Sequence, residues 1–272
     1  EWGAKIYEIS HIRRRTFNKV KSIAIFRITS FVHWLLRSRS WRSIHSPWLF
    51  TLLTSMRSAK FHCADIETLR TELKTNTEVV PVVDYGAGST GSTSTVSGIA
   101  QLSLKRPKHA RALAAVAAHL GSSSTLELGT SLGLTSAYLA RHSQTLTTVE
   151  GNPHILTLAQ SHWAQLGIAN VRSFSGEFDA TWEAFADREY DLIFIDGNHR
   201  GEALIRYVEK SLPLLHPNGV MVCDDIHWSP DMEEAWKHLC GMSEWTVQVD
   251  AFEWGLLTRN QALKREHVRI RF

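Results

Sequence analysis

Two apolar runs in the C-terminal half of this 272-residue sequence end in carboxylates. "DLIFID" closes on Asp196, and "GVMVCDD" closes on Asp224 and Asp225. Unbroken apolar runs of this length suit central parallel strands buried on both faces. If the two strands are neighbours, the three aspartates meet at one rim. Carboxylates crowded within a few ångströms repel one another and raise their own pKa values. A hard divalent cation such as Mg²⁺ removes that cost. It could also chelate a substrate hydroxyl, lower its pKa and orient it. Asp196, Asp224 and Asp225 are therefore expected as metal ligands; the alternatives are one or two of them acting without metal, or structural roles such as helix caps. His199, just beyond Asp196, is the candidate general base, because an imidazole titrates near neutrality; a surface or hydrogen-bonding histidine is the alternative. His227 and Trp228 come next on the same rim and could line a substrate pocket, unless "SPDMEEAW" only starts a helix with Ser229 as cap and Pro230 in its first turn. Cys223 sits beside two carboxylates, which disfavours a thiolate.

Two glycine-rich stretches compete for a ligand: "VVDYGAGST", residues 82–90, and "TLELGTSLG", residues 125–133. The residues downstream of each stretch decide between them. After the second come a helical stretch, the strand-like "TLTTV" and then Glu150, 21 residues beyond Gly129. That is the layout in which glycines admit a ligand to the backbone and an acid at the next strand end takes ribose hydroxyls. No such strand comes after the first stretch, and Pro81 weakens "VVPVV" as a central strand. The acid inside the second loop, Glu127, would repel a pyrophosphate at the helix N-terminus. It suits instead a ligand with a cationic amino group and a sulfonium; the alternative is an exposed strand-end glutamate with no partner. "DYGAGST", with Asp84 and Tyr85, could then be a mobile lid or an ordinary connecting loop.

The elements that must carry these residues alternate from residue 123 onward. Strands are predicted near 124–128, 145–149, 170–174, 190–195, 218–223, 244–249 and 254–258. Helices are predicted near 132–142, 153–167, 178–187 and 200–212. This alternation predicts an α/β fold: a doubly wound, Rossmann-like, seven-stranded and mostly parallel sheet with ligands at the carboxyl ends of its strands. Upstream, residues 3–38 read as a helix with a stripe of Val20, Ala24, Ile28, Phe31 and Leu35, widened by Ile25, Val32 and Leu36, which is expected to pack against something. Further helices start at Pro47, at Asp65 as N-cap, and over "RPKHARALAAVAAHLG" up to Gly121.

Charge is divided along the chain. Residues 1–60 carry a net +10 and the remainder −7, a basic head on an acidic body that could meet nucleic acid, anionic lipid or its own acidic face. A solvated helical face or a dimer contact explains the same charge. Three cysteines with no zinc or paired-disulfide spacing favour a reducing cytoplasm. The most apolar N-terminal run has 14 residues and includes Arg27 and His33, against the roughly 20 apolar residues of a membrane-spanning helix.

At this point the sequence resembles class I S-adenosylmethionine-dependent methyltransferases, and within them the catechol-type and sugar-directed metal-dependent O-methyltransferases. "LELGTSLGLTSAYLA", "VEGNP", "SGEF", "DLIFIDGNH" and "LHPNGVMVCDD" are similar to their motifs, in order, over about residues 105–260. The resemblance implies a sheet whose last strand, here "EWGLLTR", runs antiparallel. It implies cofactor contacts at Glu127, Gly129, Thr130, Ser131 and Gly133, at Glu150 with Gly151, at Gly176 with Glu177, and at Asp196. It implies metal ligands at Asp196, Asp224 and Asp225, and catalytic roles at Asp196 and at His199, which stands where catechol-type relatives have lysine. The chain then divides into an N-terminal helical extension with its Gly/Ser-rich loop (1–104) and a cofactor domain (105–272). The expected activity is methylation of a small hydroxylated acceptor, with the N-terminal helices as a homodimer contact. An RNA acceptor contacted by the basic head is the alternative enzyme reading, and a non-catalytic cofactor-binding protein is the other.

Overall fold

The second half of the chain alternates strands whose neighbours along the sheet are not their neighbours in sequence, and this sets where a ligand can lie. The structure, a computed structural model, describes residues 23–61, 63–81 and 93–271. A helix over residues 23–37 (α1) leads into the short strand Arg39–Ser40 (β1), α2 (Pro47–Ser58), α3 (Ala64–Thr75), a hairpin of β2 (Val79–Pro81) and β3 (Thr93–Thr95), α4 (Val96–Ser103) and α5 (Pro107–Leu120). The alternating part comes next: β4 (Ser124–Leu128), α6 (Leu134–Ala140), β5 (Thr145–Glu150), α7 (Pro153–Gln165), β6 (Val171–Ser175), α8 (Phe178–Thr181), β7 (Tyr190–Ile195), α9 (Gly201–Ser211), β8 (Leu215–Asp224), α10 (Pro230–Gly241), β9 (Val247–Asp250), β10 (Trp254–Thr258) and β11 (Glu266–Arg271).

The main sheet runs β1-β11-β9-β10-β8-β7-β4-β5-β6. Strands β4 to β8 are mutually parallel, and β10 is antiparallel to both β8 and β9. The chain winds outward through β5 and β6 and then returns to the other side of β4, so a crevice opens between the carboxyl ends of β4 and β7. Register puts the expected residues on that rim, since Leu128 lies opposite both Val149 and Ile195, and Ile195 opposite Cys223. Alternation along the strands feeds two cores. Leu126, Leu128, Ile193, Ile195 and Met221 face α9 and α10 through Leu204 and Trp236. Leu192, Phe194, Val220 and Val222 face α2 and α5 through Leu49, Leu52 and Leu113.

The expected doubly wound sheet and its antiparallel strand are present, with differences. The sheet has nine strands rather than seven, because β11 adds parallel to β9 and β1 parallel to β11. In "EHVRIR" only Val268 and Ile270 are buried; a half-buried strand set among charged residues reads as polar from sequence. The helix expected over 178–187 is only α8 followed by a 3-10 turn at Trp182–Ala184. Asp65 does not cap α3: the helix begins at Ala64 after Cys63. The Asp65 carboxylate instead takes both Nη atoms of Arg141, and that hydrogen bonding pulls its pKa to about 2.

Helix α1 packs by a face other than its apolar stripe. Ile25, Ile28 and Leu36 are 62%, 65% and 79% exposed, whereas Ser30 and Trp34 are buried. Polar anchoring explains the choice. Ser30 donates to Glu233 Oε2 at 2.6 Å, and Trp34 Nε1 donates to the Asp250 carbonyl at 3.2 Å. The portion of the expected helix before residue 23, Val20 included, lies outside the described residues. Among the described residues no helix is long and apolar enough to cross a membrane.

His227, expected in a substrate pocket, is instead the buried pin under α1. Its Nε2 lies 3.1 Å from Asp250 Oδ2 and its Nδ1 3.1 Å from Glu233 Oε2 and 3.2 Å from Ser30 Oγ. Its ring stacks on Phe252. Burial alone would lower the imidazole, but the two carboxylates outweigh it and hold its pKa above the ordinary 6.5. A folded-state pKa raised in this way gives stability that is complete below pH 6.5 and lost as pH rises through the folded value. Glu233 is held down at about 2 despite its partial burial, so its share is lost progressively as pH falls from its ordinary 4.5 toward 2. The thermal midpoint is therefore expected to decline on the alkaline side of pH 6.5, and His227→Gln to flatten that decline in a differential scanning calorimetry series. An unchanged slope in the variant would contradict the assignment.

Candidate functional site

The loop after β4 is shaped by backbone positions that demand small or unusual residues. Gly129 has φ +110°, and a Cβ there would stand 2.0 Å from the Asp196 carbonyl oxygen, so β4 and β7 close upon each other at their ends. Asp196 N donates to the Leu128 carbonyl at 2.8 Å, and Gly129 N to the Val149 carbonyl at 3.0 Å. Ser131 is left-handed at φ +48°. Gly133, at φ +78°, begins α6 where a Cβ would meet the Trp163 indole at 2.7 Å. Trp163 Nε1 donates to the Gly133 carbonyl and fixes the turn. Thr130 is buried, its hydroxyl 2.6 Å from that of Thr148.

Two acids bracket this loop. Glu150, at the end of β5, accepts from Ser131 N at 2.8 Å and from Asn152 N at 3.0 Å. Burial raises its pKa, while backbone N–H groups of Asn152, Ser131, Thr130 and Gly151 work the other way. Gly176 N donates to the Glu150 carbonyl at 2.9 Å, which brings the turn after β6 to the same place. Gly176 itself is at φ +136°, with Thr181 where a Cβ would stand; Glu177 beside it is exposed at the start of α8. Glu127 is fully buried and not exposed at the strand end. Its Oε2 accepts from Ser136 Oγ and from Thr148 Oγ1, while Oε1 has no hydrogen-bond partner. Burial pushes this carboxyl up to about 8, against those two hydroxyls.

The two acids and the turn geometry fit S-adenosylmethionine. Glu127 Oε1 is a buried acceptor lacking a donor, and Glu150 is a partly accessible carboxylate at the strand end where ribose hydroxyls are taken.

At the other side of the crevice the structure brings Asp196, Asp224 and Asp225 to one rim, as expected, but with a cation that the sequence did not single out. Lys105, from the connector between α4 and α5, reaches in between them. Its Nζ lies 3.2 Å from Asp196 and in direct contact with Asp224 Oδ2. Burial works against the ammonium, but Asp196, Asp224 and Asp225 outweigh it and hold it protonated. Burial likewise pushes the Asp224 carboxyl up, with Lys105 pulling back; the ion pair is the governing contact, so Lys105 carries the charge. Among the described residues no group of His, Cys, Asp or Glu is placed to hold a metal ion. An ammonium already stands between two of the three expected ligands, so the rim as arranged does not fit a divalent metal. Nothing in "LSLKRPKH" distinguishes Lys105 from a surface lysine, because its partners lie 91 and 119 residues away.

His199 reaches the same rim. Its Nδ1 is 3.9 Å from Asp225 Oδ2, and its ring is 6.1 Å from Trp228. Trp228 is 37% exposed and carries the Arg27 guanidinium of α1 on its face at 4.4 Å. Asp225 is left-handed at φ +53°, and its N donates to the Glu253 carbonyl at 2.7 Å. Behind that turn lies a cavity of about 190 Å³, walled by Phe31, Trp34, Phe252 and Trp254, with His109 Nδ1 2.8 Å from Glu253 Oε2. None of its lining residues belongs to the loop over residues 127–133. Cys223 is buried in β8, and burial pushes its thiol up, consistent with a packing role. "DYGAGST" lies outside the described residues. The β2–β3 hairpin that flanks it is tied to the β5–α7 turn by Asn152 Nδ2 donating to the Pro81 carbonyl at 2.9 Å.

The chain is similar to known proteins. The family model described as "Methyltransferase domain" matches residues 126–226. A protein of Mycobacterium tuberculosis (strain H37Rv) carrying an O-methyltransferase name is 33% identical over 107 residues, 38% of this chain and 47% of that one. The chain thus spans about half the length of the curated relatives it matches. The S-adenosylmethionine complex of the O-methyltransferase TomG from Streptomyces achromogenes superposes with a TM-score of 0.50 at 22% identity, covering 57% of this chain and 80% of that one. Cofactor-bound Rv0187 from MTB gives 0.57 at 15% identity, covering 80% and 99%. At such identities the structural likeness concerns the fold. Residues 126–226 are thus similar to a methyltransferase domain, and the sheet that carries them has the fold of these cofactor-bound structures.

Proposed function

We propose that this protein transfers the methyl group of S-adenosylmethionine to a hydroxyl of a small molecule. The observation that carries the reading is the convergence of Glu150, Ser131 and the Gly129 turn at the β4–β7 crevice. Glu127 Oε1 would receive the amino group of the cofactor, Glu150 with Gly151 its ribose hydroxyls, and Gly176 with Glu177 would border the adenine. Thr130, Ser131 and Gly133 would shape the loop around its methionine part. When bound, S-adenosylmethionine supplies an electrophilic methyl on a sulfonium and leaves as a neutral thioether. The acceptor hydroxyl would give its proton to His199 as its oxygen takes the methyl group, with the sulfur keeping the electrons of the broken carbon–sulfur bond. Asp225, 3.9 Å from His199 Nδ1, stabilises the imidazolium that results. Asp196, at the crevice between the cofactor loop and the rim, orients both reactants, so that positioning supplies much of the rate.

The N-terminal extension (residues 1–104) would act as cover to the cofactor domain (105–272), and the outward Ile25, Ile28 and Leu36 of α1 suit a second copy of the chain. The three unpaired cysteines agree with a cytoplasmic setting. The test is direct: the protein is incubated with S-adenosylmethionine and a panel of catechols, phenols and sugars, and S-adenosylhomocysteine is measured. Accumulation that depends on the acceptor and falls with His199→Ala is expected. Cofactor binding with no product across the panel would favour a non-catalytic cofactor-binding protein instead.

A further inference from the structure

We propose that Lys105 is the resident cation of the acidic rim: its ammonium fills the place between Asp196 and Asp224 that a divalent ion would take, and it presents its remaining N–H to the acceptor oxygen. The second half of this statement rests on the methyltransferase reading; the first does not. Three observations carry it. Lys105 and Asp224 are withdrawn from water, with side-chain exposures of 14% and 2%, and are in direct contact, while Asp196 lies at 3.2 Å. The backbone that delivers the lysine is fixed rather than loose. Buried Arg70 donates through Nη1 to the Lys105 carbonyl at 2.7 Å and through Nε to Glu67 at 2.9 Å, and Glu67 accepts from Tyr138 at 2.6 Å. The same connector touches the cofactor loop, with the Ser103 hydroxyl 2.7 Å from that of Ser131.

An ammonium has three donors and no acceptor. Two reach Asp196 and Asp224, which leaves one for an oxygen of the acceptor. A divalent ion at the same place would meet a like charge at contact distance. A single positive charge that donates hydrogen bonds acidifies a hydroxyl less than a divalent Lewis acid does.

The test uses the full chain titrated with Mn²⁺ alone and followed by electron paramagnetic resonance, with thermal midpoints and S-adenosylmethionine binding recorded on the same samples. The wild type is expected to show no Mn²⁺ site tighter than about 1 mM. Lys105→Met is expected to lower the thermal midpoint by ~8 °C or more, because it leaves carboxylates buried without their partner. A wild-type Mn²⁺ site tighter than this and lost in Asp224→Asn would overturn the proposal, as would an unchanged midpoint in Lys105→Met. The wild-type titration decides even if the variant does not fold. Absence of S-adenosylmethionine binding would sink the methyltransferase reading and leave the lysine to be judged on Mn²⁺ and stability.

Discussion

Glu150→Ala is expected to weaken S-adenosylmethionine binding by about 100-fold, close to 3 kcal/mol, as two hydrogen bonds to a charged group are lost. The carboxylate has two tasks at the end of β5. It accepts from Ser131 N and Asn152 N, which holds the Gly129 loop against the β5–α7 turn, and in the proposed complex it would offer its remaining lone pairs to the ribose hydroxyls. Alanine removes both, so the loop must find its shape without the brace. Glu150→Gln keeps the length and one acceptor but loses the charge, and its affinity should fall between the two. Isothermal titration calorimetry on all three proteins gives the comparison. Equal dissociation constants for wild type and Glu150→Ala would mean that the cofactor lies elsewhere.

Gly129→Ala is expected to cost ~4 kcal/mol of stability through backbone strain and a steric clash, which in a chain of this size lowers the thermal midpoint by ~10 °C. The added Cβ would stand 2.0 Å from the Asp196 carbonyl oxygen and 2.7 Å from its carbon. Neither backbone can yield easily, since Asp196 N is bonded to the Leu128 carbonyl and Gly129 N to the Val149 carbonyl. Gly121→Ala is the control. It also sits at positive φ, +59°, but has nothing within 4 Å of a Cβ, so only the conformational cost of ~1 kcal/mol should appear. Calorimetric melting separates the two. Equal small losses would mean that β4 and β7 do not close as described.

How much can be read from the sequence depends on how local each signal is. The runs "DLIFID" and "GVMVCDD" are buried on both faces, so their apolar composition and terminal acids alone set the strand, its end and the rim. The loop after β4 is legible because glycine is required at Gly129 and Gly133 by the chain that passes beside them. Ser229 capping α10 by accepting from Met232 N and Gly121 ending α5 are equally local. Other features depend on partners distant in sequence. Lys105 becomes part of the rim only through a pairing that spans 119 residues, and His227 leaves the expected pocket because Glu233, Asp250 and Ser30 converge on it. The stripe on α1 misleads for the same reason: Ser30 and Trp34 find polar partners on the domain, so the helix turns its isoleucines outward. Strand β11 escapes notice because one apolar face of two residues is a weak signal.

Binding of S-adenosylmethionine to the folded wild type is the first quantity to measure, by calorimetry, with S-adenosylhomocysteine and NAD titrated alongside. A single site per chain in the micromolar range for S-adenosylmethionine and S-adenosylhomocysteine, with no heat from NAD, is the expected result. A folded protein that binds neither sulfur compound, or that binds NAD instead, would contradict the assignment of the β4–α6 loop and with it the proposed chemistry.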